Sequence, residues 1–148
     1  MTTRSIRKPF ALLIATIAAL ALALSCSKRD DAQAFVGNYT VNIMESMTMF
    51  GQTKINYYNG RLVISKVSPT RVKVSGYLNT YGDVNGDTIY LEPTSDRTSD
   101  GSMDTVFEPG RLSFNVISFE SMTVGQISNG RTTASMKAKG LWTAVKER

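Results

Sequence analysis

From Phe35 to the end of the chain, apolar and polar residues alternate with a period of two. Tyr39, Val41 and Ile43 are separated by Thr40 and Asn42, and Val72 and Val74 lie among Arg71, Lys73 and Ser75. Leu112, Phe114 and Val116 alternate with Arg111, Ser113 and Asn115, and Ala134, Met136 and Ala138 with Ser135, Lys137 and Lys139. Successive side chains of an extended strand point to opposite faces, so this pattern marks strands with one face in a core and one in water. After Cys26 no useful length repeats at the 3.6-residue spacing of an amphipathic helix.

The punctuation agrees with strands. Asn59-Gly60, Asn85-Gly86 and Asn129-Gly130 read as two-residue hairpin turns, because Asn and Gly tolerate the positive φ that such turns require. Ser68-Pro69-Thr70 and Pro109-Gly110 mark two more turns. The strands predicted between them run over about 37–48, 53–58, 61–67, 71–79, 84–92, 103–107, 111–119 and 131–145, with a ninth near 121–127. Residues 93–102 read as a long polar loop. The expected fold is all-β, an antiparallel meander of about eight strands closed into a barrel, with a β-sandwich as the alternative.

The N-terminal 34 residues have a different character. Arg4, Arg7 and Lys8 precede an apolar run from Phe10 to Leu24, followed by Ser25 and Cys26. A basic start, a short apolar segment and a small residue before the junction are the parts of a bacterial secretory signal. The run is about fifteen residues long, short of the roughly twenty that span a bilayer. The string Leu22-Ala23-Leu24-Ser25-Cys26 resembles the lipobox of bacterial lipoproteins, in its looser Bacteroidetes form. That resemblance implies removal of residues 1–25, lipidation of Cys26, and a lipid-anchored protein of the outer membrane on its periplasmic or cell-surface face. Residues 26–34 would then be the lipidated cysteine and tether, and 35–148 the domain. Cleavage after Ala32-Gln33-Ala34 is the competing reading.

Composition narrows the chemistry. The chain has no histidine and a single cysteine, which excludes Ser-His-Asp and Cys-His sites and His-ligated zinc. With Arg4, Arg7 and Lys8 removed, 14 basic residues face 12 acidic ones, about +2. Neither that balance nor any basic cluster suggests nucleic acid. Glu45, Glu92, Glu108 and Glu120 show no spacing that singles out a catalytic pair. Asp83, Asn85 and Asp87 begin like a calcium loop, but Thr88 and Thr94 stand where its glycine and bidentate acid belong. No cofactor, metal or catalytic residue is expected. Asp87-Thr88-Ile89 and Asp104-Thr105-Val106 resemble the short O-glycosylation motif of Bacteroidetes.

The opening Phe35-Val36-Gly37-Asn38-Tyr39, followed by hairpins, resembles the lipocalin-like (calycin) barrels of small lipoproteins. The resemblance implies that Tyr39 plugs one end of a barrel that holds a small ligand. Met44, Met47, Met49, Met103, Met122 and Met136 are flexible thioethers suited either to an adaptable pocket or to ordinary core filling. Met47 and Met49 are the first choice for a pocket mouth. Tyr57, Tyr58, Tyr77, Tyr81, Tyr90 and Trp142 form either a stacking surface or cross-strand packing. The candidate ligand contacts are Met47, Met49, Tyr57 and Trp142. The expected function is non-catalytic binding of a small apolar or amphipathic ligand, or alternatively a filled module that binds an envelope protein or glycan.

Overall fold

The computed structural model describes residues 29–128 and 132–148. Cys26, the apolar run before it and the Asn129-Gly130 turn lie outside the described residues. A single helical turn, α1 (Ala32–Phe35), precedes β1 (Gly37–Met49), β2 (Gln52–Ser68), β3 (Arg71–Gly76), β4 (Thr80–Asn85) and β5 (Thr88–Leu91). Then follow β6 (Thr94–Thr98), β7 (Gly101–Phe107), β8 (Gly110–Ser113), β9 (Val116–Ser128) and β10 (Thr133–Lys146). The protein is all-β and every strand pairing is antiparallel.

Eight strands close into a hydrogen-bonded ring, in the order β1-β2-β3-β4-β5-β8-β9-β10 and back to β1. The hairpin β6–β7 departs from a simple meander. β9 pairs with β8 only from Val116 to Ser118, and further along the same edge it pairs with β7 from Ser121 to Ile127. On the far side of the ring, β2 pairs with β1 from Gln52 to Ile64 but with β3 only from Leu62 to Ser68. One end is therefore a complete ring. At the other end the wall runs β2-β1-β10-β9-β7-β6 and leaves the outer edges of β2 and β6 unpaired. The molecule is closed below and split above.

Three expectations are corrected by this register. Asn59-Gly60 is not a hairpin turn; both residues lie inside β2, with Gly60 opposite Val41. Glycine is there because the Tyr77 ring lies against it, where a Cβ would come within 2.7 Å of Cδ2. The first hairpin turn is Phe50-Gly51, in the break expected between 37–48 and 53–58, with φ of 51° and 75°, the left-handed values such a turn needs. Residues 93–102 are not a loop, since β6 and the start of β7 pair there; Thr94 and Thr98 alternate with outward Ser95 and Arg97. The run 111–119 is broken at Phe114-Asn115, and its second half continues through 121–127 as the single strand β9.

The closed end is solid. Tyr39 and Val41 of β1, Leu62 and Ile64 of β2, Val72 and Val74 of β3, Ile89 of β5 and Ile117 of β9 are buried. All but Ile117 fit the period-two pattern; the alternation expected for Leu112, Phe114 and Val116 fails, because the chain turns at Phe114, which is 99% exposed, and β9 resumes with Ile117 inward. Tyr39 plugs this end and its hydroxyl donates to the Phe35 carbonyl at 2.7 Å. Burial pushes the Tyr39 phenol up to about 12, because its anion would have to leave water.

The folded body also begins earlier than residue 35. Ala32 and Phe35 are fully buried, and the Ala32 amide donates to the Pro69 carbonyl at 3.0 Å. The Asp31 carboxylate accepts the Gly86 amide at 2.8 Å and pairs with Arg29 at 2.7 Å, and Asp30 pairs with Lys66. Residues 30–34, expected as tether, are thus a cap over the closed end.

Candidate functional site

The split end holds a cavity of about 630 Å³, within the roughly 300–1,000 Å³ typical of small-ligand sites. Its origin lies in residue size at inward positions. In the closed half these are Leu, Ile, Val and Phe. In the split half β10 presents Ala138 and Gly140 inward, and β9 presents Ser121, Thr123 and Gly125. Small side chains there leave a volume that no neighbour fills.

The register stacks the residues at and around the cavity wall into layers. Tyr58, Ile43, Trp142 and Phe119 align across β2, β1, β10 and β9 as the floor. Above them lie Asn56, Glu45, Gly140, Ser121 and Phe107, the last from β7. The next layer is Lys54, Met47, Ala138, Thr123 and Thr105, reaching Thr94 on β6. Gln52, Met49, Met136, Gly125, Met103 and Asp96 form the mouth. Tyr77 and Leu78, from the β3–β4 connection, reach the cavity through the gap between the unpaired edges.

Trp142 anchors the floor. Its ring stacks on Phe119 at 5.2 Å and meets Phe107 and Tyr77 edge-on at 6.3 and 5.8 Å. Its indole N–H donates to the Ser121 hydroxyl at 2.8 Å. Gly140 permits that bond, since a Cβ there would come within 2.6 Å of the same hydroxyl. Thr105 and Thr123 join their hydroxyls at 2.8 Å across the opposite wall.

Glu45 is the deep charge. It faces the cavity one layer above the floor and is half-buried, and it takes part in no ion pair among the described residues. Tyr58 lies beside it; burial first, then the Glu45 carboxylate, push the Tyr58 phenol up. The Tyr77 phenol is raised by burial and by the same carboxylate. Both rings remain neutral hydroxyl donors at ordinary pH.

Of the expected contacts, Met47, Met49 and Trp142 line the cavity, as do Met103 and Met136. Tyr57 does not. It lies on the outer wall, 75% exposed, because a strand's neighbours face opposite ways; Tyr58 takes the inward place. Met44 and Met122 are also on the outer wall, and Tyr81 and Tyr90 are exposed away from the cavity. The tyrosines therefore do not make one stacking surface. Glu45 was legible, since two-residue steps from Val41 through Ile43 place it inward. Thr105 of the second glycosylation-like motif faces the cavity and is bonded to Thr123, so it offers no free hydroxyl on the outer surface. The turn of the calcium-like loop binds its own chain, through the Gly86 amide and Asp31.

No protein-family model matches this chain, and no curated protein matches it in sequence.

Proposed function

We propose that this protein is a lipid-anchored lipoprotein of the outer envelope whose lipocalin-like domain binds a small apolar or amphipathic ligand and catalyses nothing. The observation that carries the reading is the split-end cavity, walled by thioethers and aromatic rings and floored by Trp142. Methionine-lined pockets adapt to varied apolar shapes, and the scattered hydroxyls of Ser121, Thr94, Thr105 and Thr123 supply the few polar contacts that orient a ligand. The lack of histidine, with the one cysteine assigned to the anchor, supports a binding role over a catalytic one.

The described segment nearest Cys26 and the cavity mouth lie at opposite ends. Asp30 and Asp31 are fastened to the closed end, and the four residues from Cys26 to Asp30 reach at most about 14 Å. A lipidated Cys26 would hold the closed end near the membrane and aim the mouth away from it. The ligand would arrive from the aqueous side.

Intact mass of the membrane-bound protein tests the anchor: the expected chain begins at Cys26 and carries acyl groups, and an unmodified chain beginning at Phe35 refutes it. Native mass spectrometry of the domain from its own host tests the pocket, with a co-purifying small molecule as the expected result. The rival partner-binding reading rests on the apolar stripe of Tyr57, Met44 and Leu141 across the outer wall. Repeated absence of a small ligand alongside a co-purifying envelope protein or glycan would favour that rival.

A further inference from the structure

We infer that the ligand of this cavity carries a positive charge: an ammonium group on an apolar chain or ring, seated head-first against Glu45. The inference rests on the binding reading above and adds the chemistry of the headgroup. Glu45 and Asp96 line the cavity, and among the described residues no lysine or arginine does. Glu45 sits deep, over a floor of Trp142 and Ile43, with Tyr58 and Tyr77 beside it.

A carboxylate flanked by aromatic faces is what an alkylammonium requires. Its charge gains from the anion, and its polarised methyl or N–H groups gain from aromatic rings, more so once water is removed. An anionic head in the same place would meet Glu45 in a partly dehydrated site, where like charges repel most strongly. The mouth layer suits the rest of such a molecule, because Met49, Met103 and Met136 offer apolar thioethers above the charged layer.

Lys54 is the cation nearest in register. It shares a face with Met47 on the unpaired edge of β2, one layer above Glu45, and is exposed. It takes part in no ion pair among the described residues. Its register places it one layer below the mouth, on the exposed edge of the wall and outside the cavity lining.

Three probes with one chain and different heads separate the possibilities: decyltrimethylammonium, decanol and decanoate, each below its micelle concentration. Binding is read by the emission of Trp142, the only tryptophan, and by calorimetry. The expected result is that decyltrimethylammonium binds at least tenfold tighter than decanol, and that decanoate binds weakest. Glu45→Gln should remove that tenfold preference while leaving decanol affinity within twofold, with an unchanged far-UV spectrum. Equal affinities for the three, a decanoate preference, or a cation preference that survives Glu45→Gln would overturn the headgroup inference and leave the pocket reading standing. No response to any probe would overturn both.

Discussion

Gly60→Ala is the perturbation that tests the split-ring architecture most directly, because two accounts of Gly60 predict opposite signs. A glycine in an unobstructed strand gains from alanine, which restricts the unfolded chain, by about 0.4–1 kcal/mol. In this structure the new Cβ would lie 2.7 Å from Cδ2, 3.0 Å from Cγ and 3.1 Å from Cβ of Tyr77. The ring is half-exposed, but its Cγ and Cβ cannot move without the backbone. Its backbone amide is bonded to the Arg61 carbonyl at 2.9 Å, and its face meets Trp142 edge-on at 5.8 Å. Overpacking of this kind costs about 1–3 kcal/mol, so after the unfolded-state gain the net destabilisation is about 1–2 kcal/mol. Urea unfolding, followed by circular dichroism and by Trp142 emission, should show the midpoint falling by about 0.5–1 M at the usual denaturant slope for a small domain. In a Tyr77→Gly background all three of those atoms are gone and the same substitution should become neutral or stabilising by up to about 1 kcal/mol. A Gly60→Ala protein more stable than the parent, with Tyr77 present, would refute the seating of Tyr77 on β2 and the gap it occupies.

Other consequences are simpler to state. Tyr39 has a folded-state phenol raised to about 12 by burial against an ordinary value of 10. Its contribution is therefore complete below pH 10 and is lost as pH rises from 10 to 12, by about 2–3 kcal/mol. Tyr39→Phe should flatten that alkaline loss in a urea-midpoint series, at a cost near neutral pH of about 1 kcal/mol for the bond to Phe35. Phe35→Ala should destabilise by about 3–5 kcal/mol, measured by the same unfolding; a cost below about 1 kcal/mol would return residues 30–34 to a tether. Asp31→Ala should expose the segment near Ala32 to limited proteolysis while leaving the rest of the domain intact. Met47→Trp should occupy the cavity and abolish decanol binding measured by calorimetry, whereas Tyr57→Ser should leave it unchanged; loss of binding in the Tyr57 variant would contradict its outward placement.

Strand identity, and which side chains face inward, was legible because it depends only on neighbours along one strand. The two-residue step from Tyr39 through Val41 and Ile43 carries on to Glu45, Met47 and Met49, and all three line the cavity. The same step separates Tyr57 from Tyr58, which is why a stacking role shared by all the tyrosines failed. Asn59-Gly60 misled because a dipeptide suited to a turn also suits a flat approach by a distant ring. The Phe50-Gly51 turn carried no familiar signature, and β6 was hidden in a polar run whose only apolar residue is Pro93.

Alternation along the chain settled by itself that this is an antiparallel all-β protein with a closed core around Tyr39, Val41, Leu62 and Ile64. It could not say that the ring is complete at one end and split at the other. That outcome depends on β8 covering only the first residues of β9 and β7 taking over the same edge, and on β2 running past the end of β3. Pairing lengths of this kind arise between segments far apart in the chain, where residue periodicity carries no information. The hollow follows from the same long-range fact, since Gly140 and Ser121 are small residues on one register line and Ala138 and Thr123 on the next, and only the assembled sheet brings them together.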